Sequence, residues 1–121
     1  MKSDDYRNLI VWQKSMDLLV EIYKLVKKLP KEEIYSLSDQ MRRAVVSIPS
    51  NIAEGQARNS SKEFYHFLCV ARGSLAELET QLIAANRIGY FKECDLDISF
   101  SLLSEIKKML SSLLNKVKTD D

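Results

Sequence analysis

The chain has 121 residues, is 45% hydrophobic and 29% charged, and carries a formal net charge of +1, as expected of a single soluble globular domain. Its three glycines and two prolines are too few for an all-β fold, which needs many tight turns. No apolar run approaches the roughly 18 residues of a membrane span, and the balanced charge argues against a dedicated nucleic-acid-binding protein.

The two ends of the chain and its cysteines indicate a reduced, cytoplasmic protein. Residues 1–8 are polar and lack the apolar core of a secretion signal. Cys69 and Cys94 are too few for a disulfide framework and lack the spacing of metal ligands, so both are expected to be free thiols. Residues 1–8 and 119–121 are predicted to be flexible ends that flank one folded domain, residues 9–118.

The first predicted helix spans residues 9–29 and carries two apolar stripes side by side. Spacings of three and four residues place its predicted core face on Trp12, Met16, Leu19, Ile22, Tyr23 and Val26. The second stripe consists of Val11, Leu18, Leu25 and Leu29. Because the residue before a proline is pushed out of the helical region, Leu29-Pro30 is expected to end the helix.

The second predicted helix spans residues 37–57, with Ser36 or Ser38 as its N-cap. It contains Pro49 near its middle. A proline inside a helix removes the hydrogen bond to the carbonyl four residues earlier, here that of Val45, and costs about 3 kcal/mol. The sequence must therefore either end the helix at this point or tolerate the defect.

Two interpretations of this proline are open. In the first, the helix ends near Ile48, and Asn51 with Glu54 caps a new helix. In the second, the helix continues with a kink and a neighbouring serine helps to satisfy the freed carbonyl. The apolar positions keep their phase across the proline, which favours the kinked helix with Ile48 and Ile52 on one core face.

The third predicted helix spans residues 61–88 and the fourth spans residues 95–118. Ser60 followed by Glu63 fits a capping box at the start of the third helix, and Gly89 fits the left-handed residue that ends it. Apolar residues repeat at three and four positions along both helices, at Phe64, Phe67, Leu68, Ala71, Leu75, Leu78, Leu82 and Ala85, and at Leu103, Ile106, Leu110, Leu113 and Val117. Four helices with short links predict an all-α fold, an antiparallel up-down-up-down four-helix bundle.

Few residues suit catalysis or metal binding. His66 is the only histidine and falls on the helix face turned away from the core. One histidine and two unpaired cysteines supply too few ligands for a zinc site or for a di-iron bundle. Arg72 and Glu79 either form a polar network at an interior cavity or make interhelical ion pairs, with Arg42 or Arg43 as the partner of Glu79. The ion pairs are favoured, so we expect a non-enzymatic protein without cofactor, metal or small-molecule substrate.

Basic residues cluster in three places, at Lys24, Lys27, Lys28 and Lys31, at Arg42 and Arg43, and at Arg58 with Lys62. Acidic neighbours lower the local positive charge of the first and last clusters, and solvated surface is the favoured interpretation of all three.

A short polar stripe on the second helix consists of Arg43, Ser47, Ser50, Asn51 and Glu54. It is interpreted either as a solvated or kink-satisfying face or as a close contact with another backbone, a subunit or a nucleic acid. If the protein binds RNA, the predicted contacts flank this stripe and are Arg42, Arg43, Arg58 and Lys62.

One bundle core should not bury all the apolar surface of the first two helices. The second predicted helix carries further apolar residues beside its core face. The predicted interface between subunits consists of these residues and the second stripe of the first helix, namely Val11, Leu18, Leu25, Leu29, Val46, Pro49 and Ala53. Large exposed apolar patches mark interfaces. The chain is therefore expected to be a stable homo-oligomer.

Three segments carry a resemblance to a known family: VWQKS at 11–15, SIPSNIAEG at 47–55 and GSLAELETQL at 73–82. With their flanks, over residues 9–91, they resemble the bacterial four-helix bundle family, also called the ribosomal RNA intervening-sequence protein family. The resemblance implies a ring-shaped homopentamer of four-helix bundles, encoded within inserts of large-subunit ribosomal RNA genes, without an established biochemical activity.

A related branch is similar to the accessory protein of diversity-generating retroelements, which binds nucleic acid and a reverse transcriptase. The implied partners are the chain itself and an RNA or a nucleic-acid-associated protein. We therefore expect a non-enzymatic, homo-oligomeric scaffold or binding module for structured RNA. The alternative is an enzyme with a site at a subunit interface that involves Arg72 and Glu79.

Overall fold

The computed structural model describes residues 5–119, and within them it contains four α-helices and two short 3-10 turns. The helices are α1 (Ile10–Val26), α2 (Leu37–Ala57), α3 (Ser61–Ile88) and α4 (Glu93–Thr119), and the 3-10 turns are Tyr6–Asn8 and Lys31–Glu33. No strand occurs in the described part of the chain. The predicted all-α class and the number of helices are confirmed.

The four helices pack as a square in which each contacts its two neighbours. α1 lies against α2 and α4, and α3 lies against α2 and α4. The largest fully buried side chains come from all four helices: Leu18, Ile22, Met41, Ile48, Ile52, Leu68, Leu75, Leu78, Leu82, Leu96, Leu103 and Ile106. Their burial at spacings of three and four is what an up-down-up-down bundle requires. None of the described helices is long and apolar enough to cross a membrane.

The predicted division of α1 into a core face and a separate interface stripe is wrong, because the core takes residues from both: all of the second stripe, and Ile22 and Val26 of the predicted core face. Val11, Leu18, Leu25 and Leu29 are all buried within the chain, at 9% exposure or less. Met16 and Tyr23, predicted for the core, are 36% and 39% exposed. The four residues of the second stripe are therefore not available as a surface between subunits.

The physical reason lies at Ser15. It occupies the heptad-like position between Val11 and Leu18, so a polar residue interrupts the true core stripe in the sequence. In the structure Ser15 is fully buried, and its hydroxyl donates to the carbonyl of Val11 at 2.7 Å. A serine that bonds its own helix in this way can be buried without an unsatisfied donor.

α2 continues through Pro49 without a break, so the interpretation as a single helix is confirmed. Ile48 and Ile52 are both fully buried, as expected if the apolar phase is kept. Pro49 is itself buried, which removes it from the exposed interface predicted for α2. The amide of Asn51 donates to the carbonyl and the hydroxyl of Ser47, at 2.7 and 2.9 Å, so Asn51 does not cap a new helix.

The ends of α3 follow the predicted signals. The hydroxyl of Ser60 accepts from the N–H of Glu63 at 3.3 Å, and Gly89 has a left-handed φ of 101°. The N–H of Tyr90 reaches back to the carbonyl of Ala85 at 2.9 Å, which closes the helix with a left-handed C-terminal motif. Gly89 therefore occupies a conformation that other residues rarely adopt.

The other predicted boundaries shift by a few residues. α1 ends at Val26 rather than 29, since the N–H groups of Lys28 and Leu29 bond three residues back in tightened turns before Pro30. Asp5 caps the 3-10 turn Tyr6–Asn8, so the folded part begins before residue 9. The predicted flexible ends fall partly on residues 1–4 and 120–121, which lie outside the described part of the chain.

Candidate functional site

A groove with only basic charges opens where α1, the connection after it and α2 meet. Its volume is about 340 Å³. The lining residues come from these three elements and are Tyr23, Val26, Lys27, Leu29, Lys31, Ile34, Ser38 and Arg42. We call this surface the basic groove. It contains three cations, apolar walls and one aromatic ring, and no carboxylate lines it.

The three cations of the basic groove reach it from different elements. Lys27 follows the last residue of α1, Lys31 begins the second 3-10 turn, and Arg42 lies in the second turn of α2. Within residues 5–117, whose side chains the structure describes, none of the three forms an ion pair. Like charges around one concave surface repel one another and focus a positive potential outward. An anion in the groove would relieve that repulsion.

One carboxylate holds the wall of the groove in place. Oε1 of Glu33 accepts from the hydroxyl of Ser36 at 2.6 Å and from the N–H of Leu37 at 3.4 Å, and Oε2 accepts from the hydroxyl of Tyr90 at 2.8 Å. The Ser36 and Tyr90 bonds hold the pKa of Glu33 below its usual range, and the bond to Glu33 raises the pKa of Tyr90. Ser36 is the N-cap residue of α2, as predicted, but its side chain makes no capping bond, and Glu33 supplies the side-chain cap instead.

The four predicted RNA contacts do not form one surface. Only Arg42 lines the basic groove. Arg43 points outward, with its side chain 80% exposed, and pairs with Asp39 at 3.2 Å. Arg58 follows the last residue of α2, about 24 Å from Arg42 at 1.5 Å per residue, and Lys62 lies in the first turn of α3. The predicted group therefore divides between the two ends of the bundle.

Arg58 is largely neutralised by its neighbours. It pairs with Glu54 at 2.6 Å and with Glu63 at 3.7 Å, and its guanidinium lies 5.2 Å from the centre of the Phe67 ring. The bond to Glu54 raises the pKa of Arg58 further. Lys62 is exposed. An RNA backbone would have to displace these carboxylates before it could bind Arg58.

The sequence analysis assigns Lys27 and Lys31 to solvated surface and places Arg42 in a separate basic cluster. The signal that links them is the hairpin of antiparallel helices. Residues shortly before the α1–α2 connection necessarily lie near residues shortly after it. Tyr23 was also misplaced, because it was predicted to lie in the core.

One residue of the polar stripe of α2, Ser47, forms a hydrogen bond to α3. The hydroxyls of Ser47 and Ser74 lie 2.8 Å apart and share a hydrogen bond. Asn51 bonds Ser47 on the same helix. Ser47 therefore makes a close contact with another helix of the same chain.

A second groove runs along the outside of α1 and α4. It consists of two successive cavities of about 560 and 380 Å³. The exposed apolar residues along it are Ile10, Val20 and Ile98, at 59%, 51% and 61% exposure. We call this surface the outer groove. Of the predicted interface residues on α2, Val46 is 38% exposed and Ala53 is half-buried.

The residues considered for catalysis are dispersed. Glu79 forms an interhelical ion pair, as favoured, but its partner is Lys107 of α4 at 3.2 Å and not Arg42 or Arg43. Arg72 is exposed and approaches Cys69 Sγ at 4.0 Å. His66 is exposed, as predicted, beside the ring of Phe67. Among residues 5–119, no three histidine, cysteine or acidic side chains are grouped as metal ligands.

Comparisons with known proteins agree with this architecture. A family model described as 23S rRNA-intervening sequence protein matches residues 7–112. The chain is also similar to a solved protein of unknown function from the S23 ribosomal protein family of Bacteroides thetaiotaomicron, with a TM-score of 0.80 and 28% sequence identity. That similarity covers 87% of this chain and 98% of the other. No curated protein matches the sequence significantly. Because the family match includes most of its length, the chain belongs to the 23S rRNA-intervening sequence protein family.

Proposed function

We propose that the protein is a non-enzymatic, homo-oligomeric helical bundle that acts as a binding scaffold for structured RNA. The observation that carries the proposal is the basic groove, where Lys27, Lys31 and Arg42 converge without a carboxylate. Elsewhere the surface cations Arg43, Arg58 and Lys107 are paired. The family is named after an rRNA-intervening sequence, and this name supports an RNA partner.

The binding must come from local charge, because the net charge of one chain is only +1. Each phosphate that a cation neutralises releases condensed counterions and makes binding depend on salt. Three cations in one groove predict a slope of log K against log salt near −2 for each engaged groove, from about −0.7 for each phosphate of a single strand. Several copies in an oligomer would bind one RNA together and increase its apparent affinity.

Self-association is supported by the outer groove. Val20 and Ile98 are more than half exposed on adjacent helices and line one cavity of about 560 Å³, which is also lined by the carboxylates of Asp17, Glu21, Asp97 and Glu105. Apolar surface of this kind is stabilised by burial against another surface. A second copy of this chain is the proposed occupant, and the resemblance to ring-shaped pentamers makes five the expected number of subunits.

Fluorescence polarisation with a labelled RNA hairpin tests the proposal. Wild-type protein is compared with a variant in which Lys27, Lys31 and Arg42 are all changed to Glu. The matched control changes Arg43, Arg58 and Lys62 to Glu, which alters the net charge by the same amount. Light scattering and thermal melting verify that each variant keeps its oligomeric state and fold.

We expect the groove variant to lose binding at both low and near-physiological salt, and the control to lose much less. Equal losses in both variants would show that the basic groove is not a specific RNA surface. If wild-type protein does not bind the hairpin even at low salt, the RNA-binding function itself is wrong.

A further inference from the structure

Tyr23 is the one aromatic residue that lines the basic groove, beside its three cations. Tyr23 is 39% exposed and lies one helical turn before Lys27, so the two side chains share a face of α1. Its hydroxyl has no hydrogen-bond partner in the part of the chain that the structure describes. Apolar residues Val26, Leu29 and Ile34 complete the walls around it.

We infer that the basic groove binds an unpaired nucleotide of RNA, with phosphates at Lys27, Lys31 and Arg42 and the base against the ring of Tyr23. This inference rests on the proposed function and names the part of a structured RNA that the groove recognises. Single strands are bound by cations that follow the backbone together with aromatic rings on which bases stack. The basic groove brings both kinds of group together within one cavity.

The size of the groove favours one nucleotide over a helical segment. Its volume of about 340 Å³ lies at the lower end of small-ligand pockets, which hold roughly 300–1,000 Å³. In a duplex the bases are stacked inside, and the protein meets only phosphates, sugars and base edges. A duplex would therefore contact the cations at the rim and leave the ring and the apolar walls unused.

Arg42 can contact a base as well as a phosphate because its guanidinium is planar. A guanidinium can bind a phosphate with two parallel hydrogen bonds or lie flat against a base, whereas a lysine acts as a point charge. Arg42 and Tyr23 reach the groove from α2 and α1 respectively. A base that enters between these helices thus meets two planar side chains.

The experiment compares three labelled RNAs of equal length and charge. The first is a hairpin with an unpaired loop, the second is a continuous duplex, and the third is the hairpin with abasic residues in its loop. The abasic loop keeps every phosphate and removes only the bases. Polarisation is measured with the intact oligomer at one fixed salt concentration.

Three variants accompany the wild type. Tyr23→Ala removes the ring, and Tyr23→Phe keeps the ring without the hydroxyl. Tyr35→Ala is the matched control, because Tyr35 is 94% exposed near the groove but does not line it. Thermal melting and light scattering confirm that each variant retains its fold and assembly.

We expect wild-type protein to prefer the hairpin loop over both the duplex and the abasic hairpin. Tyr23→Ala should weaken binding of the loop by about 5- to 150-fold, which corresponds to one stacked base. Tyr23→Phe and Tyr35→Ala should bind like the wild type. The Tyr23→Ala variant should also lose the preference for the loop.

Equal binding of loop and duplex would overturn the inference, as would a Tyr23→Ala variant that binds the loop like Tyr35→Ala. If the triple Lys27, Lys31 and Arg42 variant still loses binding in that case, the groove is an RNA phosphate site and the proposed function stands. If none of the three RNAs binds wild-type protein, the proposed function fails together with the inference.

Discussion

The hydroxyl of Tyr90 donates a hydrogen bond of 2.8 Å to Oε2 of Glu33, which joins the α3–α4 link to the connection between α1 and α2. The same carboxylate caps the start of α2 through the N–H of Leu37. Lys31 and Ile34 flank Glu33 on this connection and line the basic groove. The Glu33–Tyr90 bond therefore fixes one wall of the groove relative to the far end of α3.

Removal of this bond should loosen the connection without disturbing the core. We expect Tyr90→Phe to lower the melting temperature and to speed hydrogen exchange in residues 31–37. Tyr35→Phe is the matched control, since Tyr35 is 94% exposed, and it should change neither quantity. Unchanged exchange in the Tyr90→Phe variant would mean that the bond does not hold the connection.

The effect of Tyr90→Phe should depend on pH at both ends of the scale. The pKa of Glu33 is lowered from 4.5, so its contribution to stability is complete above about pH 4.5 and is lost as the pH falls through the lower value of the folded state. The pKa of Tyr90 is raised from 10.0, so its contribution is complete below about pH 10 and is lost as the pH rises through the higher folded value.

The difference in melting temperature between wild type and Tyr90→Phe should therefore be largest between about pH 5 and pH 9 and decrease outside that range. Calorimetry across this range measures it directly. A difference that stays constant from acid to alkaline pH would contradict the assignment of the bond to a charged Glu33.

Core burial on both sides of Pro49 gives a prediction for stability. Ile48 is fully buried, so Ile48→Ala should lower the free energy of unfolding by about 2–5 kcal/mol. Val46→Ala is the control on the same helix, because Val46 is 38% exposed and should cost less. Urea denaturation measures both variants. A loss below about 1 kcal/mol for Ile48→Ala would mean that this face does not pack in the core.

Two glycines in helices should respond to alanine in opposite directions. A Cβ on Gly55 would lie 2.7 Å from the Cβ of Phe67 and 3.0 Å from Cδ1 of Phe64, so α2 and α3 would have to separate. We expect Gly55→Ala to destabilise the protein by about 1–3 kcal/mol. A Cβ on Gly73 would have no atom within 4 Å, and Gly73→Ala should stabilise α3 by about 0.5–1 kcal/mol.

The test is to compare the unfolding free energies of the Gly55→Ala and Gly73→Ala variants. If Gly73→Ala also destabilises, that position is covered by a contact beyond the single chain. If Gly55→Ala is tolerated, α2 and α3 are less closely packed at this point than the distances indicate.

The outer groove gives a prediction for assembly. Wild-type protein should be a stable oligomer at micromolar concentration, and Val20→Glu combined with Ile98→Glu should reduce its mass in light scattering. Burying two added carboxylates at an interface is unfavourable. Ile88→Glu is the control, because Ile88 is 60% exposed at the end of α3 and does not line the outer groove. A monomeric wild type would contradict self-association.

The elements of the bundle were predictable because their signals lie within a few residues of one another. Ser60 with Glu63, Gly89 and the unbroken apolar phase across Pro49 each act inside one turn or one helix. Nothing beyond the local chain is needed to interpret them. These local signals do not reveal the side-chain cap of α2, because it comes from Glu33, whose other carboxylate oxygen accepts from Tyr90 in the α3–α4 link.

The all-α class, the four helices and the core faces of α2 and α3 follow from hydrophobic spacing and helix caps, which are local properties of the chain. The packing of the helices decides that the core of α1 takes the whole second stripe together with Ile22 and Val26, because both stripes have helical spacing and the polar Ser15 occupies a core position. It also decided that Arg42 joins Lys27 and Lys31 rather than Arg58. Proximity between residues far apart in the chain depends on how the helices pack, and the charge of each residue carries no information about that packing.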